Sequence, residues 1–314
     1  MPTRLRAVHR HAAVASALVL AALAAAGCGL GAGAEVGEVE LTVTRDYGAE
    51  QLLHRSVGEV TESDTVMRLL EGNADISTRY GGGFVHSIDG LEAERHDGQA
   101  WDWLYYVNGV EAGVGAAEYQ LRGGEAIWWD YREWTGALRI PAVVGSWPQP
   151  FTGGYEGERR AVAVECLGGG EACADVRASL EAEGASPAGG SRAGGTGDAI
   201  RVLVGPWAAL RRDPAAALVE RGPQTSGVFA DFVDQGGRFV LQGLDENGDP
   251  MRSFRPGAGL VAATRRYQAP PTWLVTGASA AGVRAAAELL NAADLRDHYA
   301  VATEDGEEAA LPLR

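Results

Sequence analysis

The stretch Trp103-Leu104-Tyr105-Tyr106-Val107-Asn108-Gly109 decides the fold of the first half of this chain. Residues 103–107 are all aromatic or aliphatic, which favours a β-strand, and the Asn-Gly pair is typical of a tight hairpin turn. A second run, Ala126 to Tyr131, follows the turn-forming pair Gly123-Gly124 and predicts another strand. Both aromatic segments are therefore predicted as strands.

The segments before them predict further strands and one helix. Asp64, three residues after Thr61, completes a capping box, so a helix is expected to begin at Thr61 and to end at Gly72. Period-two alternation predicts a strand over residues 39–44. Turn-bounded segments predict four more strands: Ile76–Tyr80, Phe84–Ile88, Trp101–Val107 and Ala126–Tyr131. One helix packed on a mostly antiparallel sheet is an α+β layout.

The N-terminus predicts export. Arginines 4, 6 and 10 precede the apolar stretch Ala12–Ala26, so residues 1–27 are interpreted as a signal peptide. Ala25-Ala26-Gly27-Cys28 resembles the lipobox of bacterial lipoproteins, although Ala25 stands where that motif usually has Leu. The resemblance implies lipid attachment at Cys28, a tether over residues 28–37 and a place on the outer face of the cytoplasmic membrane. The alternative is ordinary cleavage near Gly27, which would give a secreted protein.

Charge and composition exclude several functional classes. The net charge is −15, and removal of residues 1–27, with three arginines and no acid, makes it −18. Such a surface repels phosphate backbones, so nucleic acid is not an expected partner. All 27 basic residues are arginine, which excludes a Schiff-base or P-loop lysine.

The cysteines and histidines indicate a disulfide rather than a metal site. Cys166 and Cys173 are seven residues apart in an exported chain, which favours a local disulfide. No CxxC or HExxH spacing occurs, so no metal site is predicted and no cofactor is required. No Gly-x-Ser-x-Gly elbow occurs either, so no catalytic residues are predicted. The glycine-rich segment Val275–Gly282 is interpreted as a strand end and a helix cap, not a nucleotide site.

Residues 38–135 resemble the transcobalamin-like C-terminal domain family. The resemblance rests on the 103–109 run, on Gly115-Ala116-Ala117-Glu118-Tyr119-Gln120-Leu121, and on Gly124-Glu125-Ala126-Ile127-Trp128-Trp129. It implies a β-grasp-like domain, similar to the domain that closes over the corrin ring in animal cobalamin carriers. Those carriers also use an α-helical barrel, which this sequence lacks. Cobalamin is therefore a hypothetical ligand, and a membrane importer a possible partner.

The second half predicts a different domain. Prolines and glycines mark residues 136–158 as a linker, and residues 159–314 read as an α/β domain of unrecognised family with a flexible loop over 184–198. Its predicted strands are Ala161–Leu167, Ala199–Trp207, Arg238–Leu244 and Thr272–Val275, and its predicted helices are Cys173–Glu183, Pro214–Arg221 and Ala280–Ala292.

The aromatic residues predict the ligand surface. Five of the eight tryptophans lie within residues 101–134, and they would occupy both faces of the aromatic strands. One face can fill the core, and the other must be covered by the second domain, by a planar ligand such as a corrinoid, or by an envelope sugar or peptide. The predicted ligand-binding residues are Trp101, Trp103, Tyr105, Tyr106, Asn108, Trp128, Trp129 and Tyr131.

The sequence thus favours a surface-anchored binding protein without catalytic activity, which captures a corrinoid or another nutrient. The main alternative is an envelope structural or adhesion module that binds a protein or a glycan. An envelope hydrolase that uses paired carboxylates, such as Asp130 and Glu133, is a third hypothesis.

Overall fold

The computed structural model describes residues 33–168, 170–188 and 198–314. The predicted signal peptide and Cys28 lie outside the described residues. Within those ranges, none of the helices combines the length and the apolar character needed to cross a membrane. Mixed α+β architecture, dominated by sheets, confirms the predicted fold class.

A six-stranded sheet forms the first domain. The strands are β1 (Glu35–Arg45), β2 (Glu50–Thr61), β6 (Glu94–His96), β7 (Gln99–Val107), β8 (Val110–Glu111) and β9 (Ala126–Glu133). They run in the order β2-β1-β9-β7-β6, with β8 paired to β7. β1 and β9 are parallel, whereas the other pairs are antiparallel.

A single helix and a small sheet cover one face of this sheet. Helix α1 (Val66–Glu71) buries Val66, Met67, Leu69 and Leu70 in the same core as β1, β7 and β9. The small antiparallel sheet consists of β3 (Ile76–Arg79), β4 (Phe84–Ile88) and β5 (Leu91–Glu92), with a 3₁₀ turn over Tyr80–Gly82.

The start of α1 differs from the prediction. The Asp64 carboxylate accepts hydrogen bonds from the Thr61 backbone N and Oγ1 at 2.9 and 2.8 Å. This closes a turn before the helix. The N-cap is Thr65, whose Oγ1 accepts from the backbone N of Arg68 at 3.3 Å, so the helix begins at Val66. Thr61 is not the cap, because it lies five residues before the first helical residue, at the end of β2.

A seven-stranded mixed sheet forms the second domain. Its order is β11-β10-β12-β17-β16-β18-β19, parallel from β11 to β17 and antiparallel from β17 to β19. The strands are β10 (Val162–Cys166), β11 (Pro187–Ala188), β12 (Ile200–Pro206), β16 (Gly259–Thr264), β17 (Thr272–Gly277), β18 (Ala300–Glu304) and β19 (Glu307–Leu311). Residues 187 and 188, predicted as part of a flexible loop, thus belong to a strand.

Two apolar clusters cover the two faces of this second sheet. One contains buried residues of α2 (Ala172–Ala182) and α5 (Ala280–Glu288) together with Leu295 of α6 (Ala292–Leu295). The other contains residues of the short helix α3 (Trp207–Leu210) and the 3₁₀ helix Ala216–Arg221. The remaining elements are α4 (Pro223–Ser226) and the antiparallel strands β13 (Ala230–Asp234), β14 (Phe239–Leu244) and β15 (Pro250–Ser253).

Much of the segment 136–158, predicted as a linker, is buried, whereas Leu138, Arg139 and residues 156–158 are exposed. Ile140 and Val143 are fully buried in the cluster that contains α3, and Trp147 and Phe151 are buried in the cluster that contains α2. The segment therefore contributes to both apolar clusters of the second half. Its many prolines and glycines shape a buried connection.

Two local predictions for the second domain are confirmed. Cys166, at the end of β10, is bonded to Cys173 in the first turn of α2, with their Cα atoms 5.9 Å apart. Ser279 caps α5, because its Oγ accepts from the backbone N of Gly282 at 3.3 Å. The glycine-rich segment 275–282 is thus a strand end followed by a helix cap.

The glycines of that segment allow a close approach of helix to sheet. A Cβ atom on Gly282 would overlap the backbone carbonyl of Ala258, and one on Gly277 would lie 2.7 Å from the same carbonyl oxygen. We expect Gly282→Ala to lower the free energy of unfolding by about 1–3 kcal/mol through overpacking. Gly257→Ala is the control, since a Cβ there meets nothing within 4 Å. Denaturant unfolding of both variants measures the difference, and equal stabilities would contradict the argument.

Candidate functional site

The aromatic residues of β7 and β9 divide between the two faces of the first sheet. Trp103, Trp129 and Tyr131 face α1 and are buried in the core of the first domain. Trp103 and Tyr131 also donate hydrogen bonds to backbone oxygens of β5, from Nε1 to Leu91 at 3.0 Å and from the hydroxyl to Glu92 at 2.8 Å. These three side chains thus belong to the core of the first domain, and their role in ligand binding stays a prediction.

The opposite face is covered by the second domain. Tyr106 and Trp128 are 0% and 2% exposed, and both contact Tyr299, with ring centroids 5.7 and 5.3 Å apart. Tyr47 lies against Tyr299 and Phe229 at 5.2 Å from each. Tyr106 and Trp128 are therefore interface residues, and their role in ligand binding stays a prediction.

Asn108 has a structural role at the turn between β7 and β8. Its φ of 52° is left-handed, which Asn tolerates better than most residues. The side-chain amide donates to the carbonyl oxygen of Gly154 at 2.8 Å, and its oxygen accepts from the backbone N of Ala126 at 2.8 Å. Asn108 is 1% exposed, and its role in ligand binding stays a prediction.

A buried carboxylate lies at the centre of the domain interface. Asp130 Oδ1 accepts from Thr44 Oγ1 at 2.5 Å and from the backbone N of Gly48 at 3.2 Å, and Oδ2 accepts from the Tyr299 hydroxyl at 2.9 Å. Thr44 in turn accepts from Trp128 Nε1 at 2.8 Å. Burial raises the pKa of Asp130 from its ordinary 3.8 to about 6, while these hydrogen bonds and nearby Arg132 oppose the rise.

Arg132 supplies the balancing charge next to Asp130. Its Nη1 donates to the backbone oxygens of Glu133 and Ala137 at 3.0 and 2.9 Å, and its guanidinium lies 5.6 Å from the centre of the Tyr47 ring. The Glu133 carboxylate accepts from the backbone N atoms of Thr135 and Gly136. Asp130 and Glu133 are thus buried and hydrogen-bonded, with 0% and 1% exposure, and this pair offers no open hydrolytic site.

The stability of the interface is expected to depend on pH through Asp130. Since its folded pKa lies above the unfolded value, the folded state binds an extra proton, and stability rises as pH falls through about 6. Lowering the pH from 7 to 5 should add about 1 kcal/mol from this group. Asp130→Asn retains an acceptor for Thr44 and Gly48 but cannot titrate. Urea unfolding of both proteins at each pH tests this: identical pH profiles would contradict it.

Four aromatic side chains at the edge of the first domain remain accessible. Tyr80 is 89% exposed, Phe84 is 43% exposed, and Trp101 and Trp134 are partly exposed. They line a cavity of about 390 Å³ between β4 and the β6–β7 edge. We call this cavity the aromatic groove and define it by Tyr80, Phe84, Trp101 and Trp134. Of the eight predicted ligand residues, only Trp101 belongs to it.

Polar groups surround the aromatic groove. The guanidinium of Arg95 lies 5.2 Å from the centre of the Trp134 ring, and Arg79 Nη2 lies 2.6 Å from His86 Nε2. Asp102 is half-buried, and burial raises the pKa of its carboxyl group. The groove therefore combines apolar ring faces with positively and negatively charged side chains that can donate or accept hydrogen bonds.

A more apolar cavity of about 440 Å³ adjoins the groove and shares Phe84, Asp102 and Trp134 with it. Tyr105 lines this second cavity, stacks on Trp129 at 4.8 Å and donates its hydroxyl to the carbonyl oxygen of Val114 at 2.5 Å. Tyr105 is thus the second predicted residue that remains partly accessible. Leu138, 60% exposed, lines the same cavity.

Sequence reasoning missed Tyr80, Phe84 and Trp134 as site residues. Tyr80 and Phe84 flank three consecutive glycines, which mark an exposed turn where large aromatic side chains are difficult to bury. Trp134 lies just after the last residue of β9, in the same aromatic cluster. Among the residues that the structure describes, no group of three or more His, Cys, Asp or Glu is arranged to hold a metal ion.

Comparison with known proteins identifies one domain. Residues 63–133 match the model of a domain of unknown function, DUF4430, which corresponds to the first domain from just before α1 to the end of β9. The finer resemblance to the transcobalamin-like family stays a prediction. A search among curated proteins gives no match.

One similar solved structure comes from Ruminococcus gnavus ATCC 29149, and its protein is provisionally described as metal binding. The alignment has 17% identity and a TM-score of 0.25, and it covers 31% of this chain and 97% of that chain. At these values the similarity carries no argument about what this chain binds.

Proposed function

We propose that this chain is a non-catalytic, surface-anchored binding protein that captures a planar ligand in the aromatic groove, with a corrinoid as the leading candidate. The observation that carries the proposal is the accessibility of the groove. Its aromatic side chains remain in contact with water, while six of the eight predicted ligand residues are buried. Exposed apolar surface of this kind favours association with a ligand or a partner.

The shape and chemistry of the groove suit a flat ligand with polar edges. Ring faces can stack on such a ligand, and Arg79, Arg95 and Asp102 can hydrogen-bond to amide groups around its rim. A ligand larger than the groove would extend over the adjoining apolar cavity. This arrangement requires no α-helical barrel of the kind that animal cobalamin carriers use.

Lipid attachment at Cys28 would hold the binding domains at the outer face of the membrane. A short N-terminal tether would keep the groove near an importer, which raises its effective concentration there. A lipid anchor, a tether and an accessible groove together suit a protein that captures a nutrient for import.

The alternative is an envelope structural or adhesion module. The observation that favours it is the extensive interface between the two domains, in which Trp128 and Tyr106 are fully packed against Tyr299. A fixed two-domain unit suits a spacer as well as a receptor. The groove would then bind an envelope glycan or peptide instead of a corrinoid.

Tryptophan-fluorescence titration of the chain from Gly29 onward with cobalamin, corrected for inner-filter absorbance, tests the proposal. We expect saturable quenching at about micromolar ligand, because Trp101 and Trp134 line the groove. Tyr80→Ala and Trp134→Ala should each weaken binding about threefold to tenfold through lost ring contacts. No saturable quenching up to about millimolar cobalamin would overturn the corrinoid proposal.

Tyr267→Ala is the matched control for Tyr80→Ala. Both tyrosines are almost fully exposed, at 91% and 89%, and both have a left-handed backbone, with φ of 53° and 54°. The two substitutions should therefore affect folding alike, while only Tyr80 lies in the groove. Equal losses of affinity in both variants would show that the groove is not the site. Titration with envelope glycans under the same conditions tests the alternative function.

A further inference from the structure

A third cavity lies where the two domains meet. It has a volume of about 370 Å³, and its walls come from residues 107–122 of the first domain and from Tyr155, Glu156 and Gln268. We call it the interdomain cleft. It contains none of the four residues that define the aromatic groove.

The floor of the cleft is apolar and fixed in place. Val107, Val110 and Tyr119 are 3%, 3% and 9% exposed. The hydrogen bond from Asn108 to the carbonyl oxygen of Gly154 joins the two sides beneath it. At the rim, the Arg122 guanidinium lies against Gly157, where even a Cβ atom would overlap it. The walls of the cleft are therefore held in place by contacts within the protein itself.

Tyr155 brings an unused polar group to the cleft. It is 1% exposed and lines the cavity, and its hydroxyl makes no hydrogen bond to any described residue. The guanidinium groups of Arg160 and Arg265 lie 4.7 and 5.2 Å from the centre of its ring, which holds the side chain in one position. Because Tyr155 lines the cavity, its hydroxyl is placed to donate or accept a hydrogen bond with a ligand there.

The charges of the lining favour a cation. Glu156 pairs with Arg265 at 2.8 Å, and Glu111 pairs with Arg139 at 3.2 Å. Arg122, the single cationic side chain of the lining, lies 3.9 Å from Glu125. Within the described residues, Glu118 is the lining carboxylate that has no ion-pair partner. The net charge of −15 adds a long-range attraction for cations.

We propose that the interdomain cleft binds a small organic ammonium ion with an apolar body. The ammonium group pairs with the Glu118 carboxylate, the apolar body lies on Val107, Val110 and Tyr119, and the Tyr155 hydroxyl accepts or donates one hydrogen bond. A charge-assisted hydrogen bond of this kind is stronger than a neutral one, which gives selectivity for the charged ligand.

Three probes with one carbon skeleton test the charge requirement: 3-phenylpropylamine, 3-phenylpropanol and 3-phenylpropanoate. Calorimetric or NMR titration of the chain from Gly29 onward, which contains every described residue, should show the amine binding at least about fivefold more tightly than the alcohol or the acid. Equal affinity for the alcohol or the acid would overturn the proposal. No binding of the amine up to about 10 mM would do so as well.

Two variants locate the site. Glu118→Gln should weaken amine binding about fivefold and reduce its salt dependence, because it removes the ammonium partner. Glu181→Gln, at an exposed position of α2, is the control and should change nothing. Tyr155→Phe removes only the hydroxyl and should weaken binding about threefold, whereas Tyr267→Phe should not. If Glu118→Gln and Glu181→Gln behave alike, the cleft is not the site. Cobalamin titration measures binding at the aromatic groove, so the corrinoid proposal and the ammonium proposal can fail separately.

Discussion

Burial of the Asp130 carboxylate between the two domains is the constraint on which the rest of the molecule depends. Its three hydrogen-bond donors come from β1, from the turn after β1 and from Tyr299 of the second domain. A carboxylate removed from water is tolerated only while its partners stay in place, and hydrogen bonds are directional. The relative position of the domains is thereby fixed, and with it the shape of the interdomain cleft.

The alternation of side chains along β9 explains why both faces of this strand are aromatic. Ile127, Trp129 and Tyr131 fill the core under α1, whereas Trp128, Asp130 and Arg132 face the second domain. In the sequence of a central strand that is buried on both faces, large residues follow one another without polar alternation. The same pattern in a single domain would leave one face open to a ligand, and only the presence of the second domain distinguishes the two cases.

Because the second domain covers that face, the residues that remain accessible to a ligand lie at the edges of the first sheet. The aromatic groove lies at the β6–β7 edge, where the sheet ends and Trp101 and Trp134 have no further strand to cover them. The interdomain cleft lies at the other end of β7, beyond the Asn108 turn. Most apolar side chains of residues 136–158 pack into the interior, because they are better buried than exposed.

The sequence by itself determined the elements whose signals are local. Strands β1, β4, β7 and β9, helix α5 and the Cys166–Cys173 disulfide follow from periodicity, turn residues and short spacing. Tertiary structure decided the rest. The polar segment 50–61 is a strand because it pairs with β1, and the alanine-rich strands β16 and β18 exist because neighbouring strands bury them. It also decided which tryptophans meet solvent, since exposure depends on what packs against each face, and that information lies in distant parts of the chain.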